Sequence, residues 1–256
     1  QAEREQPGRR SICCPTNLLR TVAQWQSYTY GVSDDGVWVH HFGANEVRLG
    51  LPAGEHVALK QVTDYPWGGL ITVTVKEAPG AEFALRLRIP GWADGAGVTV
   101  NGQAVGVAAE PGTYACVRRT WATGDTIELD LPMPARLMQA HPRVEQCRGQ
   151  VAVFRGPILY CLESVDLPED MSLWDIHVPS DVGFEPVAAG DLPFGVRVLE
   201  GDALHRRENE WSDVELYRPV QAVPLNSVRL RLIPYFAWAN RGPSAMSVWL
   251  PVMLRG

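Results

Sequence analysis

The sequence predicts a mainly β fold: two antiparallel β-sandwich domains, preceded by one helix. Short runs of alternating apolar and polar residues, separated by turn residues, recur along most of the chain, which is typical of sandwiches. Glycine and proline contribute 24 and 20 of the 256 residues, a level that suits many turns better than long helices. In the first half of the chain, a single segment has a convincing helical period.

That helix is predicted over residues 15–26. Its apolar side chains repeat at helical spacing, and Pro15 suits a first helical turn, where its missing N–H costs nothing. The apolar side chains share one face of the helix: Leu18, Leu19, Val22 and Trp25.

The first predicted sandwich covers residues 32–134. Ile71, Val73 and Val75 alternate with threonines, as expected of a half-buried strand. Asn101-Gly102 predicts a tight hairpin, since both residues tolerate positive φ. Prolines cannot continue a central strand, so Pro132-Met133-Pro134 marks the boundary of this domain. The other predicted strands lie near 37–42, 57–61, 83–89, 98–100, 114–119 and 127–131.

The second predicted sandwich covers residues 135–256. Its clearest strands flank the turn at Arg155-Gly156-Pro157, at 151–154 and 158–161. Residues 163–193 are rich in Asp, Glu and Pro and predict long irregular connections. Later strands are predicted at 195–199, 228–232 and 246–250.

Charge and hydropathy exclude two classes of partner. The net charge is −6, and no cluster of Lys and Arg offers a surface for phosphates, so we expect no nucleic-acid binding. No run approaches the roughly 20 apolar residues of a membrane span, so we expect no membrane partner. The chain begins at Gln1 rather than Met, which indicates processing or a piece of a longer protein.

Five cysteines, odd in number and unevenly placed, do not suggest a disulfide framework. A reducing compartment follows, and we expect a cytoplasmic protein. Cys13 and Cys14 open the predicted helix, where the backbone N–H groups and the positive end of the dipole favour a thiolate. A thiolate is a nucleophile and a zinc ligand. The alternative is that both residues are small buried hydrophobes.

Other candidates have simpler structural interpretations. His40 and His41 are predicted on one strand, pointing to opposite faces, which argues against a shared metal. The remaining cysteines are expected to be core or half-buried, and the glutamates to be solvated charges. Most tryptophans are expected in the core, with Trp67 and Trp92 in turns. The cysteines and glutamates concerned are Cys116, Cys147, Cys161, Glu46, Glu55, Glu145 and Glu163.

Taken together, several motifs resemble the C-terminal part of the β-L-arabinofuranosidase family, glycoside hydrolase family 127 and its close relatives. They occur in order across nearly the whole chain, and no single motif would suffice. The motifs are CCPTN (13–17), QVTDYPWGGLITVTV (61–75), LRLRIPGWA (85–93), VTVNG (98–102), WATGDTIELDLPM (121–133), GQVAVFRGPILYCLE (149–163) and PYFAWANRG (234–242).

The resemblance implies an (α/α)6 catalytic barrel that ends at residues 1–31, so the predicted helix is the last of that barrel. By resemblance, Cys13 is the catalytic nucleophile, and Cys13 and Cys14 are ligands of a Zn²⁺ ion. The family completes the zinc site with a Glu and a Cys from an upstream segment, and its general acid/base is another upstream Glu. None of these upstream residues lies in this sequence.

The implied function is retaining hydrolysis that releases L-arabinofuranose or a related sugar through a thioglycosyl intermediate on Cys13. With half of the site elsewhere, we expect the isolated chain to be inactive. The expected partners are a carbohydrate substrate and either the missing barrel or a second copy at the 15–26 helix. The alternative is a non-catalytic β-sandwich module with a structural or carbohydrate-binding role.

Overall fold

A computed structural model describes residues 13–52, 54–192, 195–206, 214, 216–219 and 222–254. The chain divides into two compact units between Pro132 and Met133. The predicted division into 1–31, 32–134 and 135–256 stays a prediction, and residues 1–12 of its first part lie outside the described residues. Among the helices of the described residues, none is long and apolar enough to cross a membrane.

The predicted helix is confirmed. Helix α1 spans Cys13–Gln24, and a 3-10 helix follows at Trp25–Tyr28. Pro15 lies in the first turn of α1, where its fixed φ fits the helix and its missing N–H breaks no hydrogen bond. None of the residues of α1 is buried, so the helix lies outside the core of its own unit.

Within its described residues, the first unit forms two sheets, with the strand orders β1-β2-β6-β9 and β3-β4-β5-β10-β7-β8. All of these pairs are antiparallel except β2 with β6. The strands are β1 (Tyr30–Ser33), β2 (Gly36–Val39), β3 (Asn45–Gly50), β4 (His56–Val62), β5 (Leu70–Glu77), β6 (Glu82–Arg88), β7 (Gly97–Val100), β8 (Gln103–Ala104), β9 (Tyr114–Thr120) and β10 (Thr126–Asp130).

A single apolar core joins these two sheets. Leu85 of β6 and Leu129 of β10 belong to it and are fully buried. The alternation of Ile71, Val73 and Val75 along β5 places all three in this core, as predicted. Burial of one such side chain stabilises the fold by roughly 1.5–3 kcal/mol. The first unit is therefore a two-layer sandwich.

In the described part of the second unit, strands follow the order β11-β12-β19-β14-β16-β17-β13-β18, with β15 beside β16. Because β12 also pairs with β13, six of these strands close into a ring. The strands are β11 (Ala135–Gln139), β12 (Gln150–Arg155), β13 (Ile158–Glu163), β14 (Ile176–Pro179), β15 (Glu185–Ala188), β16 (Arg197–Arg206), β17 (Leu225–Pro234), β18 (Met246–Ser247) and β19 (Leu250–Met253).

The mainly β prediction is confirmed, with local corrections. The prediction of irregular connections over 163–193 is wrong at β14 and β15, which pair with β16. Both strands contain a proline, and β15 is largely exposed, so their apolar signal is weak. The predicted hairpin at Asn101-Gly102 is confirmed, with φ of 50° and 75° at the two residues.

Candidate functional site

Cys13 and Cys14 occupy the first turn of α1, and both are exposed and outside any disulfide. The interpretation of the pair as buried hydrophobes is therefore wrong. The Thr16 hydroxyl donates a hydrogen bond to the Cys13 carbonyl at 3.1 Å, within the same helical turn. The two sulfur atoms lie 3.8 Å apart, so they present one joint surface to a ligand.

This sulfur separation fits zinc. Two thiolates bound to one tetrahedral zinc at about 2.3 Å each lie about 3.8 Å apart, the edge of the tetrahedron. The observed distance between the Cys13 and Cys14 sulfurs is the same, 3.8 Å. Over the described ranges, no group of three or more His, Cys, Asp or Glu residues could hold a metal ion. The pair can therefore supply two of the four ligands that a structural or catalytic zinc requires.

The apolar face of α1 lies C-terminal to the two cysteines and is exposed. Its four large side chains keep between 53% and 68% of their surface accessible: Leu18, Leu19, Val22 and Trp25. An isolated group of apolar side chains of this size on one helix is typical of a surface that another segment or molecule covers.

His40 and His41 do not lie on one strand as predicted, because β2 ends at Val39. The His40 Nδ1 atom is hydrogen-bonded to the Tyr114 hydroxyl at 2.7 Å. The His41 ring packs against Trp25 with a centroid distance of 4.6 Å. Burial, with smaller contributions from the charges of Arg88 and His40, lowers the pKa of His41. The two rings are occupied in separate contacts and do not face one metal.

A cavity of about 450 Å³ opens between the end of the helical segment and the loop after β2. Trp25 and His41 line it, together with Tyr30 and Asn45. The Tyr30 hydroxyl donates to Asn45 Oδ1 at 2.6 Å and accepts a hydrogen bond from the buried Gln61 amide. This network fixes the polar wall of the cavity. Trp25, which lines one edge of the cavity, follows Cys13 by 12 residues in the sequence.

The prediction that Glu163 is a solvated charge is wrong, because its side chain is completely buried at the end of β13. Its carboxylate accepts hydrogen bonds from the Ala239 N–H at 2.9 Å, the Ser244 hydroxyl at 2.8 Å and the Arg241 guanidinium at 2.6 Å. Burial alone raises the pKa of Glu163, but these three donors and the positive charge outweigh it, so the pKa is lowered. Glu163 is therefore held as a carboxylate.

Further charges extend this arrangement into a cluster. Arg241 also donates to Asp166 at 2.7 Å, and Arg231 bridges Asp166 at 3.1 Å and Asp191 at 2.9 Å. We call these five residues the Glu163 cluster: Glu163, Asp166, Asp191, Arg231 and Arg241. Both arginines form ion pairs with carboxylates of the cluster, which points to a structural role.

Exposure also separates the other predicted candidates. Glu46 and Glu145 are exposed, as predicted, and Glu55 is half-buried. Cys116 is exposed, which contradicts its predicted place in or near the core, whereas Cys147 is half-buried and Cys161 buried. Burial and the neighbouring carboxylates raise the pKa of Cys161 to about 12, so that thiol is inert.

Comparison with known proteins decides the family. Residues 36–133 match the β-L-arabinofuranosidase GH127 middle domain, and residues 135–251 match the glycoside hydrolase family 127 C-terminal domain. The chain belongs to glycoside hydrolase family 127. The predicted resemblance is thereby confirmed, and the chain corresponds to a C-terminal portion of such an enzyme.

Relatives of this family-127 chain are longer than it is. A non-reducing end β-L-arabinofuranosidase from Bifidobacterium longum subsp. longum is 36% identical over 253 residues, covering 93% of this chain and 36% of the relative. A solved glycoside hydrolase superposes with a TM-score of 0.88 at 40% identity, covering 98% of this chain and 43% of its own. The structure of a GH127 β-L-arabinofuranosidase from Geobacillus stearothermophilus T6 superposes with a TM-score of 0.85 at 40% identity, covering 96% of this chain and 38% of its own.

Two features of this family-127 chain escape prediction from its sequence. The Glu163 cluster joins residues about 75 positions apart, and its local signal is a charge that directly follows the apolar run 158–162. The tryptophans are mostly not fully buried: of those described, Trp121 is buried, whereas Trp25, Trp174 and Trp238 are exposed. Four are half-buried, and Trp211 lies outside the described residues; the four are Trp38, Trp67, Trp92 and Trp249.

Proposed function

We propose that this chain is the C-terminal portion of a zinc-dependent retaining glycoside hydrolase that releases L-arabinofuranose or a related sugar. The observation that carries the proposal is the exposed pair of sulfur atoms, 3.8 Å apart, in the first turn of α1. The family, and the two relatives named as β-L-arabinofuranosidases, support the class of sugar. The chain spans 36–43% of its relatives, so the activity requires residues from another segment.

In this proposal Cys13 is the nucleophile. Its thiolate attacks the anomeric carbon, so that an S–C bond forms as the C–O bond to the leaving group breaks. A carboxylic acid gives its proton to the departing oxygen. Water then attacks the same carbon, the S–C bond breaks, and the carboxylate takes back a proton. Two inversions at one carbon give net retention. The resemblance assigns the acid/base to a glutamate of the missing barrel.

Cys14, with Cys13, would hold the zinc ion of the family. A bound Zn²⁺ would keep both sulfurs deprotonated at neutral pH. The position of both residues at the N-terminus of α1 acts in the same direction, because the unpaired backbone N–H groups there favour a negative charge. Cys14 therefore positions Cys13 and shares its charge, while Cys13 makes and breaks the bond to the sugar.

The apolar face of α1 is the surface that would join this chain to the rest of the enzyme. Burial of its four exposed apolar side chains against a barrel is worth several kcal/mol at roughly 25 cal/mol per Å². The same contact would bring the barrel's acid/base and remaining zinc ligands to Cys13. Without the barrel, we expect the chain to self-associate through this face.

Metal titration tests the cysteine pair independently of activity. We expect Cd²⁺, which absorbs on thiolate binding, to bind the chain, and Cys13→Ser or Cys14→Ser to abolish the signal. Cys116→Ser is the matched control, since Cys116 is also exposed but stands apart from the pair. An unchanged titration in both pair variants would contradict the assignment of the metal site.

Activity is tested in a chimaera. The chain fused to the preceding segment of the Bifidobacterium relative should hydrolyse an aryl β-L-arabinofuranoside, and Cys13→Ser should reduce kcat by about 10⁴-fold or more. The unfused chain should give no turnover. Equal turnover of the chimaera and its Cys13→Ser variant would rule out Cys13 as nucleophile.

A second candidate is a non-catalytic β-sandwich module. It is favoured by the metal-site geometry, since the described residues bring two potential ligands together at Cys13 and Cys14 and no third. In that case the unfused chain would bind glycans, and the chimaera would show no turnover that depends on Cys13.

A further inference from the structure

An exposed group of aromatic side chains lies in the second unit, on the loop after β17. Tyr235, Phe236 and Trp238 keep 43%, 60% and 39% of their surface accessible. We call residues 235–245 the aromatic loop. Three large rings exposed within four residues are costly to maintain in water, and such patches on a protein surface commonly mark binding sites.

The three rings belong to one short segment of backbone. Tyr235–Ala237 form a 3-10 helix, and Ala237 points inwards with 2% of its surface exposed. Residues three apart in a 3-10 helix lie above one another, and Tyr235 and Trp238, the residue directly after this helix, have that spacing. Phe236, between them, is exposed as well. The loop therefore presents three exposed rings within four residues, which we call the aromatic platform.

The Glu163 cluster holds this platform in place. The Glu163 carboxylate binds the backbone N–H of Ala239, the residue directly after Trp238, at 2.9 Å. It also binds Arg241 and Ser244, further along the loop. Ala239 adopts φ of 62°, a conformation that non-glycine residues rarely adopt and that tertiary contacts must maintain.

The far end of the aromatic loop is fixed as well. The Ser164 N–H donates to the Ala245 carbonyl at 2.9 Å, and the Ala245 N–H donates to the Ser164 hydroxyl at 3.0 Å. A buried charge cluster and two hydrogen bonds between Ser164 and Ala245 thus order a loop whose large side chains remain exposed. Such order removes the entropy cost of fixing the loop when a ligand binds.

We propose that the aromatic loop is a binding surface for a neutral glycan, on which Tyr235 and Trp238 stack against sugar rings. The choice of ligand rests on the proposed function, which makes glycans the substrate class of this chain. Flat rings with a polar tip suit a sugar, because the apolar face of the sugar covers the ring while its hydroxyls remain hydrated. Its residues belong to the second unit, whereas Cys13 and Cys14 lie on α1 in the first unit.

The size of the platform suits a small ligand. The exposed fractions of the three rings correspond to about 300 Å² of aromatic surface. A stable protein interface buries about 800 Å² on each partner. The platform is well short of that area, but it matches the contact of one or two sugar rings.

Affinity electrophoresis tests the proposal with the full chain. Soluble arabinan in a native gel should retard the chain, and dextran should retard it less. We expect Tyr235→Ala or Trp238→Ala to weaken the apparent association with arabinan by about tenfold, the effect of losing about one ring contact. Trp238→Phe should keep most of the retardation, since it keeps a ring.

Trp174→Ala is the matched control. Trp174 is even more exposed, at 68%, and lies in the same unit but outside the aromatic loop, so its loss should leave retardation unchanged. Glu163→Gln should weaken retardation without removing a ring, because it loosens the anchor. Equal retardation of all variants, or no retardation of the parent chain by arabinan, would overturn the proposal.

The outcome is separable from that of the proposed function. The gel measures binding without zinc or turnover, and Cys13→Ser should be retarded like the parent chain. Loss of arabinan binding in the loop variants alone leaves the Cys13 assignment intact. Conversely, a chimaera without cysteine-dependent turnover that still binds arabinan through Trp238 would support the glycan surface and refute the Cys13 mechanism.

Discussion

Helix α1 and the aromatic loop both display large apolar side chains, but the molecule supports them in opposite ways. None of the residues of α1 is buried, and the helix makes local hydrogen bonds such as that from Thr16 to the Cys13 carbonyl. The aromatic loop rests on Glu163, which is fully buried and bound to three positions of the loop. The buried Glu163 carboxylate therefore orders the aromatic loop, whereas α1 is held by hydrogen bonds within the helix.

The contrast separates two kinds of functional surface. A surface that must bind a small ligand unaided benefits from order before binding, because the ligand offers few contacts to compensate for lost entropy. A surface that becomes part of a larger core gains its order from the partner. The aromatic loop fits the first kind, and α1 with its two cysteines fits the second.

The largest effect on stability should come from removing the anchor of the aromatic loop. Glu163→Ala leaves Arg241 without one of its carboxylates and uncovers the N–H of Ala239 in a buried site. Breaking a buried ion pair from one side costs about 3–5 kcal/mol. Urea denaturation, followed by a signal from the second unit, measures this loss.

The matched control is Asp202→Ala, which also removes one carboxylate from an arginine pair in the second unit. Asp202 is 71% exposed and lies 3.3 Å from Arg229, so its loss should cost at most about 1 kcal/mol. Similar costs for the two variants would mean that the Glu163 cluster does not anchor the loop.

A pair of leucine substitutions tests whether α1 lies outside the core of the first unit. Leu85→Ala opens a cavity in the sandwich core and should cost about 2–5 kcal/mol. Leu18→Ala on α1 removes an exposed side chain and should change the free energy of unfolding by less than about 0.5 kcal/mol, when measured at protein concentrations low enough for the chain to be monomeric. A large cost for Leu18→Ala under these conditions would show that α1 packs within the monomer.

The smallest expected effect is a change in pH dependence. The pKa of Glu163 is lowered in the folded chain, so its charge stabilises the fold above the unfolded pKa of about 4.3. That contribution is lost as the pH falls through the folded pKa. Unfolding measured from about pH 7 to about pH 3 should show a shallower decline for Glu163→Gln than for the parent chain. Parallel curves would contradict the pKa assignment.

The sandwich strands were predictable where the inward-facing side chains are apolar and fully buried. Ile71, Val73 and Val75 show the period directly, because one face of β5 is core. Strand β3 escaped prediction because Val47 and Leu49 are half-buried between charged neighbours. It pairs antiparallel with the next strand, β4, from Asn45 opposite Gln61 to Gly50 opposite His56.

The candidate site was predictable in part for the same reason. Cys13 and Cys14 are adjacent in sequence at a helix start, so the sequence alone places them close together. Glu163 meets Arg241 across 78 residues, and no local pattern distinguishes it from a surface glutamate. The histidines were misplaced because β2 ends one residue before His40, and strand ends depend on tertiary contacts more than on propensity.

The closed ring of the second unit has a consequence for biosynthesis. Val151 of β12 lies opposite Leu250 of β19, and β14 also pairs with β19. Val151 leaves the ribosome about a hundred residues before Leu250. The ring therefore cannot close until nearly all of the second unit has emerged. The first unit completes its pairings by Asp130 and can fold earlier. Nascent chains stalled before β19 should therefore carry a protease-resistant first unit and an open second one.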